Sequence, residues 1–350
     1  MAEVTTVTMG WDVGDKFTDV CVLDRDGAIV EQGRVRTTKQ SLQKQMGRFQ
    51  DARIVLEVGV HSRWISDLVR RCGHEAIVAN ARQVQLIYRR KSKTDRSDAV
   101  LLARLGRFDP VLLAGVRHRS DAAQLDLACL RARDVLVSAR TDLINHVRGV
   151  LKPFGLRVPD CRSEAFVRQA EEAVPPELMP AIGPVLECLH VLGARVASYD
   201  KQVEHLATVS YPQVARLSQV DGVGHLTALA FVLTIEDPSR FNESRAVGAW
   251  VGVTPAKDQS GESDPQKRIT KAGDPFLRKL LVQCAHYILG PFGRDSDLRR
   301  WGLRLAERGG KAARKKAVIA VARKLSVLLH RLWVSGKAYQ PVGYRSQAAA

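Results

Sequence analysis

The N-terminal part of the 350-residue chain alternates between apolar and polar side chains, a pattern typical of strands in a half-buried sheet. Residues 4–13, 17–23 and 29–35 are predicted as three strands, and the turn-forming residues 24–27 join the second to the third. Short apolar strands then alternate with helix-period segments. Paired strands followed by alternating strands and helices predict a mixed sheet with helices on its faces, so we expect an α/β domain over residues 1–118.

After residue 118 the strand pattern is lost and helical periodicity takes over. Two long apolar stripes, separated by proline-containing breaks, predict an antiparallel helical hairpin of the coiled-coil type over residues 119–210. Helical patterns continue over residues 211–340, apart from a polar loop at 254–269, and residues 341–350 are predicted to be a disordered tail. The fold class is therefore α/β plus all-α.

The charge of the chain narrows the choice of partners. Lys and Arg number 54, and Asp and Glu number 37, which leaves a formal net charge of +17. Residues 261–350 hold 19 basic and 6 acidic side chains, a net charge of +13. This excess indicates a polyanionic partner, because a protein that follows a phosphate backbone needs clustered cations. Nucleic acid is favoured over an anionic membrane surface.

Cysteine spacing and hydropathy exclude several classes of protein. The 6 cysteines lie far apart with no C-x-x-C pair, so a zinc ribbon or a dithiol redox site is not supported. The N-terminus lacks the basic and apolar regions of a signal peptide. The longest apolar stretch, residues 223–235, is too short to span a bilayer. We therefore expect a soluble cytoplasmic protein with no membrane partner.

Four carboxylates stand at positions that predict a shared site. Asp12 and Glu57 each end a predicted strand, and Asp95 and Asp98 share one face at the start of a predicted helix. A charge late in an apolar strand is costly to bury and needs a partner. If the four converge at one edge of the sheet, two Mg²⁺ ions would relieve their repulsion. A paired metal site stabilises the attacking and leaving oxygens of phosphoryl transfer.

These carboxylates also have simpler interpretations. Asp95 and Asp98 are typical of a helix N-terminus, where acidic side chains satisfy free amides and favour the helix dipole. Asp12 alone is compatible with a strand-to-turn position. The combination of an Asp on the first strand, a Glu on the fourth and two Asp residues on a helix favours the metal site.

The same positions carry a resemblance to a known family. The segments GWDVGDKFTDVCVLD at 10–24, VLEVGVHS at 55–62 and KSKTDRSDAVLLARL at 91–105 resemble the DEDD transposases, the bridge-RNA-guided recombinases of insertion sequences. VDGVGHLTALAFVLTIEDPSRF and AWVGVTPAKDQSGESDPQKRITKAGDPFLRKLL continue the resemblance nearer the C-terminus. After its glutamate the family usually has Thr-Gly-Xaa-Tyr, whereas this chain has Gly-Val-His-Ser-Arg-Trp at 59–64.

This resemblance implies a fold, a cofactor and partners. Residues 1–118 would form a RuvC-like domain of the ribonuclease H fold, in which the four carboxylates are the tetrad that binds Mg²⁺. The helical hairpin and a helical transposase domain would follow. The resemblance also implies donor and target DNA, a guide (bridge) RNA, and a homo-oligomer, either a dimer or a tetramer.

A nucleophile, Ser260, is also implied by the resemblance, within the segment TPAKDQSG at 254–261. A serine hydroxyl is a poor nucleophile until a base or a metal activates it. This loop offers no adjacent histidine, so the metals of the tetrad are the expected activators. Attack on a phosphodiester would join DNA to the protein and conserve bond energy for rejoining. On the residues alone, Ser263 is an equally good loop serine.

Glycines and basic residues predict where nucleic acid binds. The segment DGVG at 221–224 resembles the hairpin of a helix-hairpin-helix, whose backbone amides reach a phosphate; a plain turn between helices is the alternative. Basic clusters favour phosphate contacts, although a solvated face is the simpler interpretation. The predicted nucleic-acid contacts are Arg89, Arg90, Lys91, Lys93, Gly222, Gly224, Arg268, Lys271, Arg278, Lys279, Arg314, Lys315 and Lys316.

Together these patterns predict a DNA transposase or recombinase of an insertion sequence, which cleaves and exchanges strands under RNA guidance. A RuvC-like structure-specific endonuclease is the first alternative; it would hydrolyse DNA with water and need the tetrad but not Ser260. A non-catalytic nucleic-acid-binding scaffold is the second. It would keep its affinity without metal and cut nothing.

Overall fold

The structure is a computed structural model that describes residues 7–82, 84, 95–261, 263, 265 and 267–343. The chain divides into two compact units, with the boundary between His118 and Arg119. Each unit has hydrophobic cores of its own.

The first unit contains one mixed sheet with helices on its faces. Its elements are β1 (Thr8–Val13), β2 (Phe17–Leu23), β3 (Ile29–Arg36), α1 (Lys39–Met46), β4 (Arg53–Glu57), α2 (Ser62–Arg71), β5 (Glu75–Ala79) and α3 (Asp95–Phe108). The five strands lie in the order β3-β2-β1-β4-β5. Strand β2 is antiparallel to β1 and β3, whereas β1, β4 and β5 are parallel. The predicted mixed α/β sheet is therefore confirmed.

The two faces of this sheet contact different helices, because side chains alternate along each strand. Trp11 of β1 and Ile54 and Leu56 of β4 are fully buried in a cluster with side chains of α1 and α2. On the opposite face, Val55 of β4 and Cys21 of β2 pack against α3. Among the labelled helices, α3 is therefore the one that covers this face of the sheet.

Two glycines let α3 lie directly on the strands. A side chain at Gly10 would overlap the backbone of α3 at Ala99 and Ala103, and one at Gly106 would overlap a valine of β4. Gly106 also lies close to Thr8, at the beginning of β1. Because Ala99 and Ala103 lie against Gly10, whereas the later Gly106 lies near the earlier Thr8, α3 and β1 run antiparallel. The first turn of α3 is therefore at the carboxyl end of β1.

The second unit is mainly helical. Its helices are α4 (Asp121–Leu151), α5 (Phe166–Ala173), α6 (Met179–His205), α7 (Gln213–Leu217), α8 (His225–Ile235), α9 (Ala246–Val251), α10 (Pro275–Leu289), α11 (Asp297–Ala306) and α12 (Gly310–Ser335). A larger core gathers buried side chains from α4, α6, α7, α8, α9, α10 and α12. A second core lies among α4, α5 and α6. Helix α4, which pairs with α6 as a hairpin, contributes to both.

Helix α6 begins at Met179, within a proline-containing stretch that the sequence predicts as a break between helices. Pro180 lies in its first turn, where a helix needs no backbone N–H, and Pro184 lies inside the helix. With the π-helical turn that follows, it spans Met179–Ser210, and among the described residues this is the one helix long and apolar enough to cross a membrane. A single such helix is a weak sign of a span. Its Ile182 and Leu189 side chains are buried in the second core.

Two turns divide the helical pattern of residues 213–251 into three short helices. Gly222 adopts a φ of +84° in the first turn, and Glu236 ends α8 with a φ of +64° in the second. Both backbone conformations are incompatible with a continuing right-handed helix. The pattern therefore predicts the helical character of this region but not its interruptions.

The end of the described chain lies against α11. The Asp297 N–H donates to the Pro341 carbonyl at 2.8 Å, and the Gly343 N–H donates to the Asp297 carboxylate at 3.0 Å. Residues 341–343, which the sequence assigns to a disordered tail, are held by these hydrogen bonds. Residues 344–350 lie outside the described residues.

Candidate active site

Asp12 and Glu57 occupy equivalent positions on neighbouring parallel strands. The register of β1 and β4 ends with Trp11 opposite Leu56, so Asp12 and Glu57 come next to each other just beyond that pair. Each is two residues after a position that faces α3, so both side chains project from the α3 face. Both are partly exposed. The fold thus places the two strand carboxylates at one end of the sheet.

Helix α3 brings the other two carboxylates to the same end. Asp95 and Asp98 lie in its first turn, and Ala99, the next residue, lies against Gly10 of β1. Asp98 is half-buried and Asp95 is exposed. All four predicted carboxylates therefore share one end of one face of the sheet. We call these four residues the acidic edge.

The donor set of the acidic edge fits a hard divalent cation, because Mg²⁺ prefers carboxylate oxygens as protein ligands. Within the part of the chain that the structure describes, which includes all four carboxylates, no three His, Cys, Asp or Glu side chains converge closely enough to hold one ion. The backbone places the four carboxylates at the same end of the sheet. Their role as metal ligands stays a prediction.

A fifth carboxylate, Asp19, lies beside the acidic edge. It is paired with Asp12 across β1 and β2, and it is buried. Arg34 of β3 contacts the Asp19 carboxylate through Nε at 3.0 Å and Nη2 at 2.8 Å, and its Nη2 is 3.6 Å from Asp95. The hydrogen bond that Arg34 donates to the Asp19 carboxylate raises the pKa of Arg34, so the guanidinium stays charged. Sequence reasoning missed this pair, although a charged residue within the apolar pattern of β2 signals a buried partner.

A histidine bridge joins the loops that follow β1 and β4. His61 Nε2 lies 3.1 Å from Asp15 Oδ1, and Trp64 Nε1 donates to His61 Nδ1 at 3.0 Å. Because an indole N–H can only donate, Nδ1 is the acceptor, and Nε2 carries the proton that it donates to Asp15. The bridge ties the loop after Asp12 to the loop after Glu57. It lies in the segment where this chain departs from the Thr-Gly-Xaa-Tyr pattern.

The polar loop of the second unit forms a two-stranded projection, which we call the serine arm; its described residues are 254–261, 263, 265 and 267–270. Pro255 and Ile269 form an antiparallel bridge near its base. At its tip the backbone N–H groups of Ser260 and Ser263 each donate to the carbonyl of the other at 3.0 Å. Ser260 is exposed, and its hydroxyl has no hydrogen-bond partner among the described residues. The role of Ser260 as a nucleophile stays a prediction.

The base of the serine arm is tightly packed. Gly252 has a φ of +79°, and a side chain there would overlap the opposite backbone, while one at Gly273 would overlap the carbonyl of Trp250. The Arg278 guanidinium donates to the carbonyl oxygens of Val251 at 3.0 Å and Gly273 at 3.1 Å. Arg278, predicted as a nucleic-acid contact, is thus engaged by the backbone of its own unit. It fixes the point from which the arm projects.

The remaining predicted nucleic-acid contacts have different surroundings. An added side chain at Gly222 would lie 2.8 Å from Tyr287 Cδ1, so this glycine serves close packing, whereas the space around Gly224 is open. Lys279 forms an ion pair with Asp134. Lys279 is also exposed, and the other contacts with exposed side chains are Arg268, Lys271, Arg314, Lys315 and Lys316. Arg89, Arg90, Lys91 and Lys93 lie outside the described residues.

Two family models match this chain. A transposase model of the DEDD IS110 type matches residues 9–155, and a model described as the transposase IS116/IS110/IS902 family matches residues 214–291. The first range contains the acidic edge and the second contains Ser260. Together the two matches show that the chain is a transposase.

Named relatives agree with this class. The chain is 29% identical over 262 residues to the transposase for insertion sequence element IS1111A of Coxiella burnetii, covering 72% of this chain and 70% of that protein. It is 28% identical over 305 residues to the putative transposase y4pF/y4sB of Sinorhizobium fredii (85% and 76% covered). It is 29% identical over 287 residues to a probable family 20 transposase of Pseudomonas aeruginosa (79% and 82% covered). The chain belongs to the IS110/IS116 family of insertion-sequence transposases.

Family membership confirms the broader sequence predictions. An insertion-sequence transposase acts on DNA, and its family implies recombinase or nuclease activity. DEDD transposases typically use a divalent metal.

Proposed function

We propose that this transposase cleaves and exchanges DNA strands under RNA guidance, with the acidic edge and Ser260 as its reactive groups. The observation that carries the proposal is the common position of the four carboxylates, which β1, β4 and the first turn of α3 bring to one end of one sheet face. Carboxylate oxygens are the ligands that hard divalent cations prefer. A phosphoryl-transfer site that uses divalent metal ions needs such a set of ligands.

The proposed ligands of two Mg²⁺ ions are Asp12, Glu57, Asp95 and Asp98. Bound there, the ions would stabilise the attacking and leaving oxygens as Lewis acids. The chain's own residues contribute by holding the four carboxylates in position. Arg34 lies between buried Asp19 and the first turn of α3, and the histidine bridge ties the loops after the two acidic strands. These contacts limit how far the carboxylates move apart.

Ser260 is the proposed nucleophile. Its oxygen forms a bond to a backbone phosphorus while the bond from that phosphorus to the leaving oxygen breaks. The serine proton passes to solvent, and the leaving oxygen takes up a proton. The strand end is then held as a phosphoserine ester until the hydroxyl of a second strand reverses the step. The exposed tip of the serine arm supports this role, because a bulky polynucleotide must reach the hydroxyl.

The proposed partners are donor DNA, target DNA and a guide (bridge) RNA from the non-coding end of the element. The net charge of +13 over residues 261–350 supports nucleic-acid binding. The working form is proposed to be a homo-oligomer, a dimer or a tetramer, acting in the bacterial cytoplasm. We assign the RuvC-like role to residues 1–118, assembly to the hairpin of 119–210, and the transposase role to 211–340.

A covalent adduct tests the role of Ser260. Wild-type protein, Ser260→Ala and the matched control Ser263→Ala are incubated with guide RNA, Mg²⁺ and labelled DNA, and then denatured. The wild type and Ser263→Ala should retain DNA on the protein, whereas Ser260→Ala should retain none. Protease digestion should leave a short peptide on the DNA end, and mass spectrometry should locate the phosphoester at residue 260.

The same assay separates the alternatives. If Ser260→Ala recombines DNA at the normal rate, the serine mechanism is wrong. If Ser260→Ala cleaves DNA to free ends, a RuvC-like endonuclease that uses water is the better account. If the wild type binds DNA with and without metal but cuts none, the scaffold is favoured. Omission of the RNA should abolish strand exchange, and exchange at an undiminished rate would remove the guide from the proposal.

A further inference from the structure

The turn between α10 and α11 displays aromatic side chains to solvent. Phe292 is 78% exposed and Tyr287 is 47% exposed. An exposed aromatic ring forgoes a large amount of favourable burial, so a pair of them in one surface region indicates a binding role. Neither residue belongs to the acidic edge or to the serine arm.

This turn is built rigidly, so the exposure of Phe292 is fixed by the fold. Arg299 donates from Nη1 to the carbonyl oxygens of Ile288 and Gly290, the second at 2.7 Å. A side chain at Gly293 would overlap the Ile288 carbonyl, so the backbone folds tightly back on α10. Because both flanks of Phe292 are held, the ring cannot fold into the core without breaking this packing.

An exposed arginine and a glycine turn lie near the aromatic residues. Arg294, whose side chain is 82% exposed, has Nη1 3.7 Å from Asp221 Oδ1, and Tyr287 packs against Gly222. Both contacts tie the turn to segment 221–224. The sequence around it, residues 261–350, carries the net charge of +13. Aromatic rings beside exposed Arg side chains suit nucleobases and phosphates, whereas the centre of a protein interface is depleted of charge.

We propose that Tyr287, Phe292 and Arg294 form a binding surface for unpaired nucleobases, which we call the stacking turn. The Phe292 ring stacks on the face of a base that is not in a duplex, and the Arg294 guanidinium contacts the adjoining phosphate. Strand exchange exposes such bases, in a DNA strand or in the guide RNA. This inference rests on the proposed function only in requiring that the chain binds nucleic acid; it does not depend on Ser260 or on the acidic edge.

Binding by the full-length chain in EDTA tests the stacking turn without cleavage. The probes are a fluorescent oligothymidylate, an oligouridylate and a DNA duplex of equal length. Phe292→Ala should weaken binding to at least one single strand by about tenfold or more, and leave duplex binding within about twofold, since stacking contributes strongly per base. Phe292→Trp should bind like the wild type, and Phe292→Leu like Phe292→Ala. Phe154→Ala, which removes a 60% exposed ring elsewhere, is the matched control.

Each departure from these results overturns the inference. Unchanged single-strand affinity for Phe292→Ala, with normal overall binding, removes the stacking turn but leaves the proposed function intact. A wild-type protein that binds none of the probes would contradict both the stacking turn and the proposed function. Equal losses of affinity for the duplex and the single strands would indicate that the Phe292 ring inserts between the base pairs of a duplex. Full binding by Phe292→Leu, or a changed oligomer mass for Phe292→Ala by light scattering, would indicate an apolar protein contact instead. Which single strand is affected identifies the bases as those of DNA or of RNA.

Discussion

The acidic edge and the serine arm are held in different ways. At the acidic edge, Asp12 and Glu57 directly follow Trp11 and Leu56, which are fully buried in the sheet core. Every carboxylate there belongs to a strand end or a helix turn that a core fixes. The serine arm has no such core at its tip: Ser260 is held by two backbone hydrogen bonds to Ser263 and by the packed base of the arm.

The difference follows from what each region is proposed to do. Metal ligands must keep fixed distances, which strands and helices supply better than loops. A nucleophile that must meet a polynucleotide needs reach, and a projecting two-stranded arm gives it reach at some loss of rigidity. We therefore predict that substitutions near the acidic edge act by displacing the carboxylates. Substitutions near the serine arm should act by changing how a polynucleotide reaches Ser260.

The largest effect is expected when a carboxylate of the acidic edge loses its charge. Asp12→Asn keeps the size of the side chain but removes a proposed metal ligand, so DNA cleavage and exchange should fall by about 10³-fold or more, as loss of metal stabilisation predicts. Its melting temperature should stay close to that of the wild type, since the substitution keeps the size of a partly exposed side chain. The assay is strand exchange with guide RNA and Mg²⁺, beside a thermal melt.

Asp26→Asn is the control for this change. Asp26 is an exposed turn residue between β2 and β3, at the opposite end of the sheet, and its loss should leave activity within about twofold. Full activity of Asp12→Asn would remove Asp12 from the site.

The next largest effect is expected when the carboxylates of α3 are displaced and no charge is removed. Gly10→Ala places a methyl group against the backbone of α3, so the helix must move away from β1. Overpacking of this kind costs about 1–3 kcal/mol of stability, or more where backbone is met. Activity should fall more steeply than stability, because Asp95 and Asp98 move with the helix. Urea unfolding and strand exchange are measured on the same preparation.

Gly33→Ala is the matched control, since the space around Gly33 in β3 is open. It should keep both stability and activity near wild-type levels. A Gly10→Ala protein as active and as stable as Gly33→Ala would contradict the close approach of α3 to β1.

A smaller effect is expected at the base of the serine arm. Arg278→Gln removes the guanidinium that holds the Val251 and Gly273 carbonyls, which should cost about 1–3 kcal/mol. The base loosens while Ser260 itself is unchanged, so adduct formation should slow by about tenfold. Hydrogen exchange of the arm amides, followed by mass spectrometry, should quicken.

Lys279→Gln is the control for Arg278→Gln. It removes the neighbouring cation, whose ion pair with Asp134 is at the surface and contributes about 1 kcal/mol or less. If the two variants lower adduct formation equally, loss of positive charge explains both, and the arm base is not the cause.

The smallest effect is a pH dependence confined to the first unit. Burial lowers the pKa of His74 from its ordinary value of 6.5, and its Nδ1 accepts a hydrogen bond from the Ala52 N–H at 3.2 Å. The unfolded chain therefore binds a proton more readily than the folded one, so stability should fall as pH drops below about 6.5. Urea unfolding from pH 7.5 to 5.5 measures this.

In His74→Asn the side-chain oxygen can replace Nδ1 as acceptor without titrating. Its stability should change less with pH over the same range than that of the wild type. An identical pH dependence in both proteins would show that another group is responsible.

Local signals in the sequence predict much of this fold. Residues 75–79 form β5 as the apolar pattern indicates, and α10 begins at Pro275, directly after the N-cap Asp274. Such features depend on residues close together in the chain, where periodicity and capping chemistry act. The placement of Asp12 and Glu57 at one end of the sheet also follows, because ends of parallel strands meet at one edge.

What the sequence could not supply depends on distant partners. Arg34 meets Asp19 through strand pairing, and Trp64 selects the tautomer of His61 through a contact that no spacing rule anticipates. The serine arm was expected as a loop, since its strands lack the apolar alternation that marks a sheet. These contacts set the site's geometry, while the pattern sets only its approximate place.

Helix α4 has a mechanical consequence. Its 31 residues make a rod of about 46 Å. One end is buried with the larger core and the other with the second core. Near its middle, Arg131 and Asp134 form ion pairs with Asp274 and Lys279, at the start of the helix that follows the serine arm. Because one continuous helix joins them, a displacement of the far end of the hairpin is expected to move the residues at the base of the serine arm.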